Sequence, residues 1–294
     1  MGDIMQGIIT DIKRFAIHDG DGIRTTFFLK GCPLKCVWCH NPEGILQKKQ
    51  LAFLKHKCTN CGSCTDICDA NICENKNHVF IRENCITCGK CEDICPNGAF
   101  RLYGKSITVD DALSIALEDK LFYETSGGGV TLSGGECLLQ PDFCAELLKK
   151  LKEKNIHTAV DTCGFVAKEA IDKVLPYTDI FLYDLKAIDE DVHVQCTGQS
   201  NKIILENLKY LNQIGKSVEI RVPFVPNYNS NQIEKIKDFL KGISCVIKVK
   251  ILPYHNFSAS RYDALGMKNT LPDVIPKKEE ILNAENIFIR NCEI

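Results

Sequence analysis

Thr25-Thr26-Phe27-Phe28-Leu29 runs through Lys30 and Gly31 into Cys32-Pro33-Leu34-Lys35-Cys36-Val37-Trp38-Cys39. A short β-branched and aromatic run of this kind reads as a buried strand. The C-x3-C-x2-C cysteines then occupy the loop at its C-terminal end. Three thiolates with no fourth cysteine close by can hold a cubane cluster while leaving one iron without a protein ligand. An open metal position is where substrate binds, by the logic that separates catalytic from structural zinc sites. The alternative is that Cys58 completes the set and the cluster only relays electrons.

Cys58 has a competing claim. The runs Cys58-x2-Cys61-x2-Cys64-x3-Cys68 and Cys85-x2-Cys88-x2-Cys91-x3-Cys95-Pro96 repeat with a 27-residue shift, and seven of eleven positions are identical. Each matches the bacterial run in which the fourth cysteine ligates the other cluster. One [4Fe–4S] cluster is therefore expected on Cys58, Cys61, Cys64 and Cys95, and a second on Cys85, Cys88, Cys91 and Cys68. Asp69 stands where the second copy has Pro96, and Cys73 follows, so Cys68 and Cys73 both remain candidates for that fourth ligand. A pair of zinc sites is the competing reading, but tetrahedral zinc takes four ligands and leaves the later cysteines of each run unused.

The 294 residues carry 18 cysteines, too few per residue for a small disulfide scaffold in a chain long enough for its own core. Reduced thiols are expected. Lys and Arg number 36 against 38 Asp and Glu, which gives no electrostatic case for binding nucleic acid. No apolar run approaches a membrane span, and Met1 to Gln6 lacks the basic and apolar regions of a secretory signal. A cytoplasmic protein is expected.

Residues 55–103 form an insert of 49 residues with nine cysteines and little helical periodicity. The remainder, 1–54 and 104–294, alternates strand-like and helix-like stretches. Strands are expected at Thr25–Leu29, Gly129–Ser133, His157–Asp161, Asp179–Leu185, Ser217–Val222 and Val246–Leu252. Helices are expected at Asp110–Asp119, Pro141–Lys154, Lys168–Leu175, Asn201–Gln213 and Asn229–Lys241, with another starting near Lys277. Six βα repeats predict an α/β chain, a partial (β/α)6 TIM-like barrel with an inserted ferredoxin-like iron–sulfur domain. The strands end at Gly31-Cys32, Ser133-Gly134-Gly135-Glu136, Asp161-Thr162-Cys163-Gly164, Asp184-Leu185-Lys186, Arg221 and Pro253-Tyr254-His255. In such a fold every one of these groups reaches the same rim.

The chain resembles the radical S-adenosylmethionine enzymes and, within them, the activating enzymes of glycyl radical enzymes. The resemblance rests on the cysteine loop and Cys39-His40-Asn41-Pro42-Glu43, on His18-Asp19-Gly20-Asp21-Gly22-Ile23-Arg24-Thr25, on Gly127 to Glu136, and on the four later strand ends. It spans essentially the whole chain. One departure is Asp21, where the family usually has proline. The resemblance implies a catalytic cluster on Cys32, Cys36 and Cys39, whose open iron takes the amino and carboxylate groups of S-adenosylmethionine. It implies cofactor contacts from Ser133, Gly134, Gly135, Asp161, Asp184, Lys186, Arg221 and His255, with Trp38 near cluster and adenine or simply packed. Glu136 is implied either at the cofactor or as a cap of the following helix. Asp19 and Arg24 are implied at the mouth where a partner's glycine loop enters, and Asp161, Thr162 and Asp184 as a monovalent-cation site.

The implied reaction is reductive cleavage of S-adenosylmethionine to methionine and a 5′-deoxyadenosyl radical, which takes a Cα hydrogen from a glycine of a partner glycyl radical enzyme. Three clusters, an electron donor such as flavodoxin or ferredoxin, and a monomeric chain are expected. The insert is expected either to relay electrons or to dock the partner. A related enzyme that modifies a peptide or small molecule is the alternative. Cys137, Cys144, Cys163, Cys196, Cys245 and Cys292 have no ligand spacing and read as small buried apolar residues, with Cys163 set apart by its place on the rim.

Overall fold

The parallel strands form where Val, Ile, Phe and Thr cluster, because these side chains pack well on a pleated surface that is covered on both faces. A computed structural model describes residues 5–289; Cys292 lies outside the described residues. The strands, in chain order, are β1 (Gln6–Ala16), β2 (Arg24–Leu29), β3 (Gln50–Phe53), β4 (Asn71–Glu74), β5 (Asn77–Phe80), β6 (Phe100–Tyr103), β7 (Lys105–Thr108), β8 (Gly129–Gly134), β9 (His157–Thr162), β10 (Ile180–Asp184), β11 (Val218–Phe224) and β12 (Val246–Pro253). Eight of them make one open sheet in the order β12-β11-β10-β9-β8-β2-β1-β7. All six expected strands are present, and they are the parallel ones.

Two strands of that sheet had no counterpart in the sequence reading. β1 pairs antiparallel with β2 on one side and β7 on the other, extending the sheet past the parallel set. The helices lie within two residues of expectation, except that Asn229–Lys241 divides into a 3-10 turn at Ser230–Gln232 and a helix at Ile233–Leu240. Helices at Lys120–Ser126, Glu190–Thr197 and Ala259–Leu265 are additional. The helix Pro141–Glu153 starts on proline and buries Phe143, Cys144, Leu147, Leu148 and Leu151 against the sheet. Its large apolar side chains contribute about 1.5–3 kcal/mol each. No helix among the described residues is long and apolar enough to cross a membrane.

The sheet curls. Lys248 on β12 meets Asp21, in the loop before β2, at 3.0 Å. Five strand spacings separate β12 from β2 in the sheet order, which would be about 24 Å if flat. Two side chains cannot bridge that span. The Arg221 guanidinium on β11 likewise donates to the His18 carbonyl at 2.9 Å. Asp21, where the resembled family has proline, thus finds a cation across the concave face.

The cysteine-dense segment leaves the sheet at one place. β3 and β6 pair antiparallel from Gln50↔Tyr103 to Phe53↔Phe100 and form its neck. Its core is small: Leu51, Cys64, Cys91 and Phe100 are buried, with Phe53, Phe80 and Leu102 packed against them.

Candidate functional site

Parallel strands leave their polar C-terminal ends on one rim. That rim holds a cleft of about 860 Å³ lined by Cys32, Cys36, Cys39, Ser133, Gly134, Gly135, Asp161, Asp184, Lys186, Arg221 and His255. Asp19 and Trp38 line it too. The six strand endings that the sequence placed together do meet.

The cysteine loop is held by backbone pairing rather than by its own side chains. Gly31 and Cys32 donate to the carbonyls of Gly44 and Ile45, and Lys35 and Val37 to those of Thr197 and Cys196. Burial pushes the Cys39 thiol up to about 12 and Cys36 higher still. Cys32 shifts the other way, lowered by a hydrogen bond from the Cys163 thiol. Trp38 is buried among Cys196, Val225 and Tyr254, so its indole packs the loop while also bordering the cleft.

Ser133, Gly134 and Gly135 thread between two other backbones. A Cβ on Gly134, at φ +125°, would stand 2.1 Å from the Leu29 carbonyl oxygen, and one on Gly135 would stand 2.3 Å from that of Gly31. Only glycine lets the loop approach this closely. Glu136 is fully buried and caps the short 3-10 turn Cys137–Leu139 through the Leu138 N–H at 3.0 Å. It also accepts from the Thr162 hydroxyl and the Cys163 N–H, at 2.9 and 2.8 Å. The capping role is therefore the one it fills.

Charge on the rim is arranged in pairs. Lys186 meets Asp184 at 2.7 Å, and Arg221 meets Asp161 at 3.5 Å and Glu219 at 3.3 Å. Against a burial that disfavours its charge, Asp184 and Cys36 hold the Lys186 ammonium above the ordinary lysine range. Burial pushes Asp161 up to about 6, while Arg221 and a 2.6 Å hydrogen bond from Ser133 oppose the rise. The carboxylates implied as a cation site thus each face a cation of the chain itself, and the Thr162 hydroxyl is turned to Glu136.

At the cleft wall His40 and His255 stack at 4.0 Å with 5° between their planes, and His40 Nε2 lies 2.7 Å from the His255 carbonyl. Neither contact was foreseen for His40; its place beside Cys39 was the available signal.

Arg24 is the correction. It was expected at the mouth, but it begins β2, at the far end of that strand from Cys32, and is 1% exposed. Its guanidinium donates to Thr131 Oγ1 and to the Val130 carbonyl, both at 2.7 Å. A buried guanidinium needs several acceptors, and the strand bottom supplies them. Asp19 does reach the cleft, with its carboxylate accepting from Thr26 Oγ1 at 3.0 Å.

In the insert, Cys58, Cys61, Cys64 and Cys95 line one small cavity. Burial, then the neighbouring thiols of Cys58, Cys95 and Cys61, raise Cys64 to about 11. Burial also raises Cys91 to about 11, beside the Cys68 thiol. Cys73 points elsewhere, with its Sγ 3.5 Å from the Asn60 carbonyl. The two repeats share a backbone: Asn60 and Thr87 both adopt positive φ and donate their N–H groups to Cys58 and Cys85 Sγ at 3.4 Å.

Comparison with known proteins agrees with this geometry. The sequence profile of the radical SAM superfamily matches residues 26–240. The chain is 41% identical to a trans-4-hydroxy-L-proline dehydratase activating enzyme of Clostridioides difficile, over 97% of this chain and 96% of that one. It is 38% identical to a choline trimethylamine-lyase activating enzyme of Oleidesulfovibrio alaskensis, over 89% and 87% of the two chains. It is also 38% identical to a (2S)-3-sulfopropanediol dehydratase activating enzyme of Klebsiella oxytoca, over 91% and 88%. With three thiols and six strand ends around one cleft, and likeness of this extent, the chain belongs to the radical SAM superfamily and, within it, to the activating enzymes of glycyl radical enzymes.

Proposed function

We propose that Cys32, Cys36 and Cys39 hold the catalytic [4Fe–4S] cluster of a glycyl-radical-enzyme activase, and that the cysteine repeat holds two auxiliary [4Fe–4S] clusters. The observation that carries the first assignment is the convergence of those three thiols with Ser133–Gly135 and Lys186 on one cleft. The donor set fits. Half-buried neutral thiols lose their protons when metal charge arrives, and Lys186 supplies positive charge beside them. For the repeat, the support is the shared cavity of Cys58, Cys61, Cys64 and Cys95 and the contact between Cys68 and Cys91, which favours Cys68 over Cys73 as the fourth ligand.

A reduced cluster held by Cys32, Cys36 and Cys39 would supply the one electron needed to cleave S-adenosylmethionine to methionine and the 5′-deoxyadenosyl radical, the species that would take the glycine Cα hydrogen. The chain's own residues orient and shield. Gly134 and Gly135 offer backbone at close range to the cofactor's amino group, and Lys186 and Arg221 present positive charge to its carboxylate. Trp38 and Tyr254 close the floor against water. Asp19 borders the opening through which the partner's glycine segment enters.

The test is anaerobic reconstitution followed by reduction and addition of S-adenosylmethionine with a candidate glycyl radical enzyme. A paramagnetic doublet on the partner supports the reading, together with about twelve irons per chain for three cubanes. A matched partner without any 5′-deoxyadenosine overturns it, and about eight irons would remove one cluster from the assignment.

A pH dependence follows from Asp161. Near pH 7 its carboxylate is ionised and offsets Arg221, which favours the positively charged sulfonium of the cofactor. Below about 6 it takes a proton and that attraction is lost. S-adenosylmethionine should bind about tenfold more weakly at pH 5 than at pH 7, one pKa unit being worth about 1.4 kcal/mol. Equilibrium dialysis across that range checks it, and Asp161→Asn should flatten the profile.

A further inference from the structure

A chain of hydrogen bonds joins the two halves of the cysteine repeat. Cys64 Sγ lies 3.3 Å from His78 Nε2, His78 Nε2 lies 3.0 Å from Asn71 Oδ1, and Asn71 Nδ2 lies 3.1 Å from Cys91 Sγ. Both linking side chains are buried, at 3% exposure for Asn71 and 6% for His78. They face each other across the hairpin of β4 and β5, which pairs Asn71 with Phe80 and Cys73 with His78. The Asn71 amide donates to Cys91, so its carbonyl oxygen accepts, and His78 must carry its hydrogen on Nε2. That N–H is shared between Asn71 and Cys64.

Packing alone does not explain this pair. His78 stands edge-on to Phe53 and Phe100, with ring centroids 4.9 and 5.9 Å away. Its Nδ1 is buried with no hydrogen-bond partner among the described residues. An unpaired buried nitrogen costs free energy that a phenylalanine at this place would avoid. The pair is also unduplicated: the 27-residue shift puts Gly98 and Lys105 where Asn71 and His78 stand. One polar link therefore serves both copies. The thiols it touches belong to different ligand sets, Cys64 with Cys58, Cys61 and Cys95, and Cys91 with Cys68, Cys85 and Cys88.

Hydrogen bonds to ligand sulfurs are among the determinants of an iron–sulfur potential. An N–H aimed at a thiolate stabilises the more negative, reduced cluster and so raises the potential. Linked donors also polarise one another. We propose that Asn71 and His78 are a positioning pair that donates to Cys64 and Cys91 and raises the reduction potentials of the two auxiliary clusters together. The inference rests on the two-cluster reading of the insert given above.

The experiment uses the full chain with Cys32, Cys36 and Cys39 all changed to alanine, so that only the insert carries clusters. Their midpoints are read by redox titration followed by electron paramagnetic resonance. His78→Phe, which suits the aromatic surroundings, should lower the midpoint of the Cys64 cluster. The reduced-to-oxidised ratio at a fixed solution potential should fall about tenfold, which is about 59 mV for a one-electron couple. Asn71→Asp keeps the shape but replaces the donor with a carboxylate, and should lower the midpoint of the Cys91 cluster. His78→Gln, which keeps an N–H, should recover part of the shift. Unchanged midpoints in fully loaded His78→Phe and Asn71→Asp proteins overturn the proposal. So does loss of about four irons in both variants, because the pair would then serve cluster assembly rather than potential. If the triple-alanine parent holds no cluster at all, the two-cluster reading itself has failed.

Discussion

Cys36→Ala abolishes 5′-deoxyadenosine formation from S-adenosylmethionine under chemical reduction, whereas Cys91→Ala retains at least partial cleavage. The difference follows from where each thiol stands. Cys36 is half-buried on the cleft rim and faces Lys186, Cys39 and Cys32. Its loop is clamped to the end of helix Glu190–Thr197 by the Val37 N–H to the Cys196 carbonyl. Two thiolates do not hold a cubane that already leaves one iron open. Cys91 belongs to the insert, beyond the β3–β6 neck, and dithionite reaches the catalytic cluster without it. Product chromatography decides the matter. Equal loss in both variants would mean that the insert is required for the fold or the chemistry.

Arg221→Met should destabilise the protein by about 3–5 kcal/mol, the range for removing one partner of a buried ion pair. Arg221 is 4% exposed and serves three acceptors: Asp161, Glu219 and the His18 carbonyl. Glu219 is itself 2% exposed. Its remaining cation is Lys248, 3.5 Å away and half exposed, which compensates only part of a buried negative charge. Methionine fills the volume and makes none of these bonds. The loss appears as a lower urea midpoint with the slope unchanged. The same substitution removes the tie from β11 to the His18–Asp21 loop, leaving the Lys248–Asp21 contact, so cofactor affinity should fall even where the protein remains folded. A midpoint equal to that of the unmodified chain would show that Asp161 and Glu219 are neutral in the fold.

The parallel part of the sheet and nearly all of its rim were legible in the sequence. Strand-forming runs are local signals, and in a βα repeat the residues after each run must share one end of the sheet. That topological rule turns separate motifs at Ser133–Gly135, Asp161, Asp184–Lys186 and Arg221 into a single cleft. The antiparallel additions were not legible. β1 reads as Gln-Gly-Ile-Ile-Thr-Asp-Ile-Lys-Arg-Phe-Ala, with charges interrupting the alternation, and its outer partner β7 lies about a hundred residues away beyond the insert. Such pairing is decided by which edge is left open, and no window of sequence records that.

Arg24 shows the limit most clearly. Its motif context pointed to the mouth, but Arg24 is the first residue of β2 and so lies at the opposite end of that strand from the rim. Only its hydrogen bonds to Thr131 and Val130 reveal that it locks the bottoms of two strands. The Asn71–His78 link is of the same kind, since neither residue has ligand spacing and both depend on a hairpin closing between the two cysteine runs.

What the sequence by itself determined is chemical identity: where the cysteines cluster, which strands run parallel, and which ends carry polar groups. Spacing and periodicity are properties of neighbouring residues, and they survive in one dimension. What only the tertiary structure decided is partnership. Asp21 reaches Lys248 because the sheet curls, Glu136 is a cap because Thr162 and Cys163 come to it, and Arg24 is structural because it is dry. A buried charge is defined by its surroundings, and those are assembled only when distant segments pack.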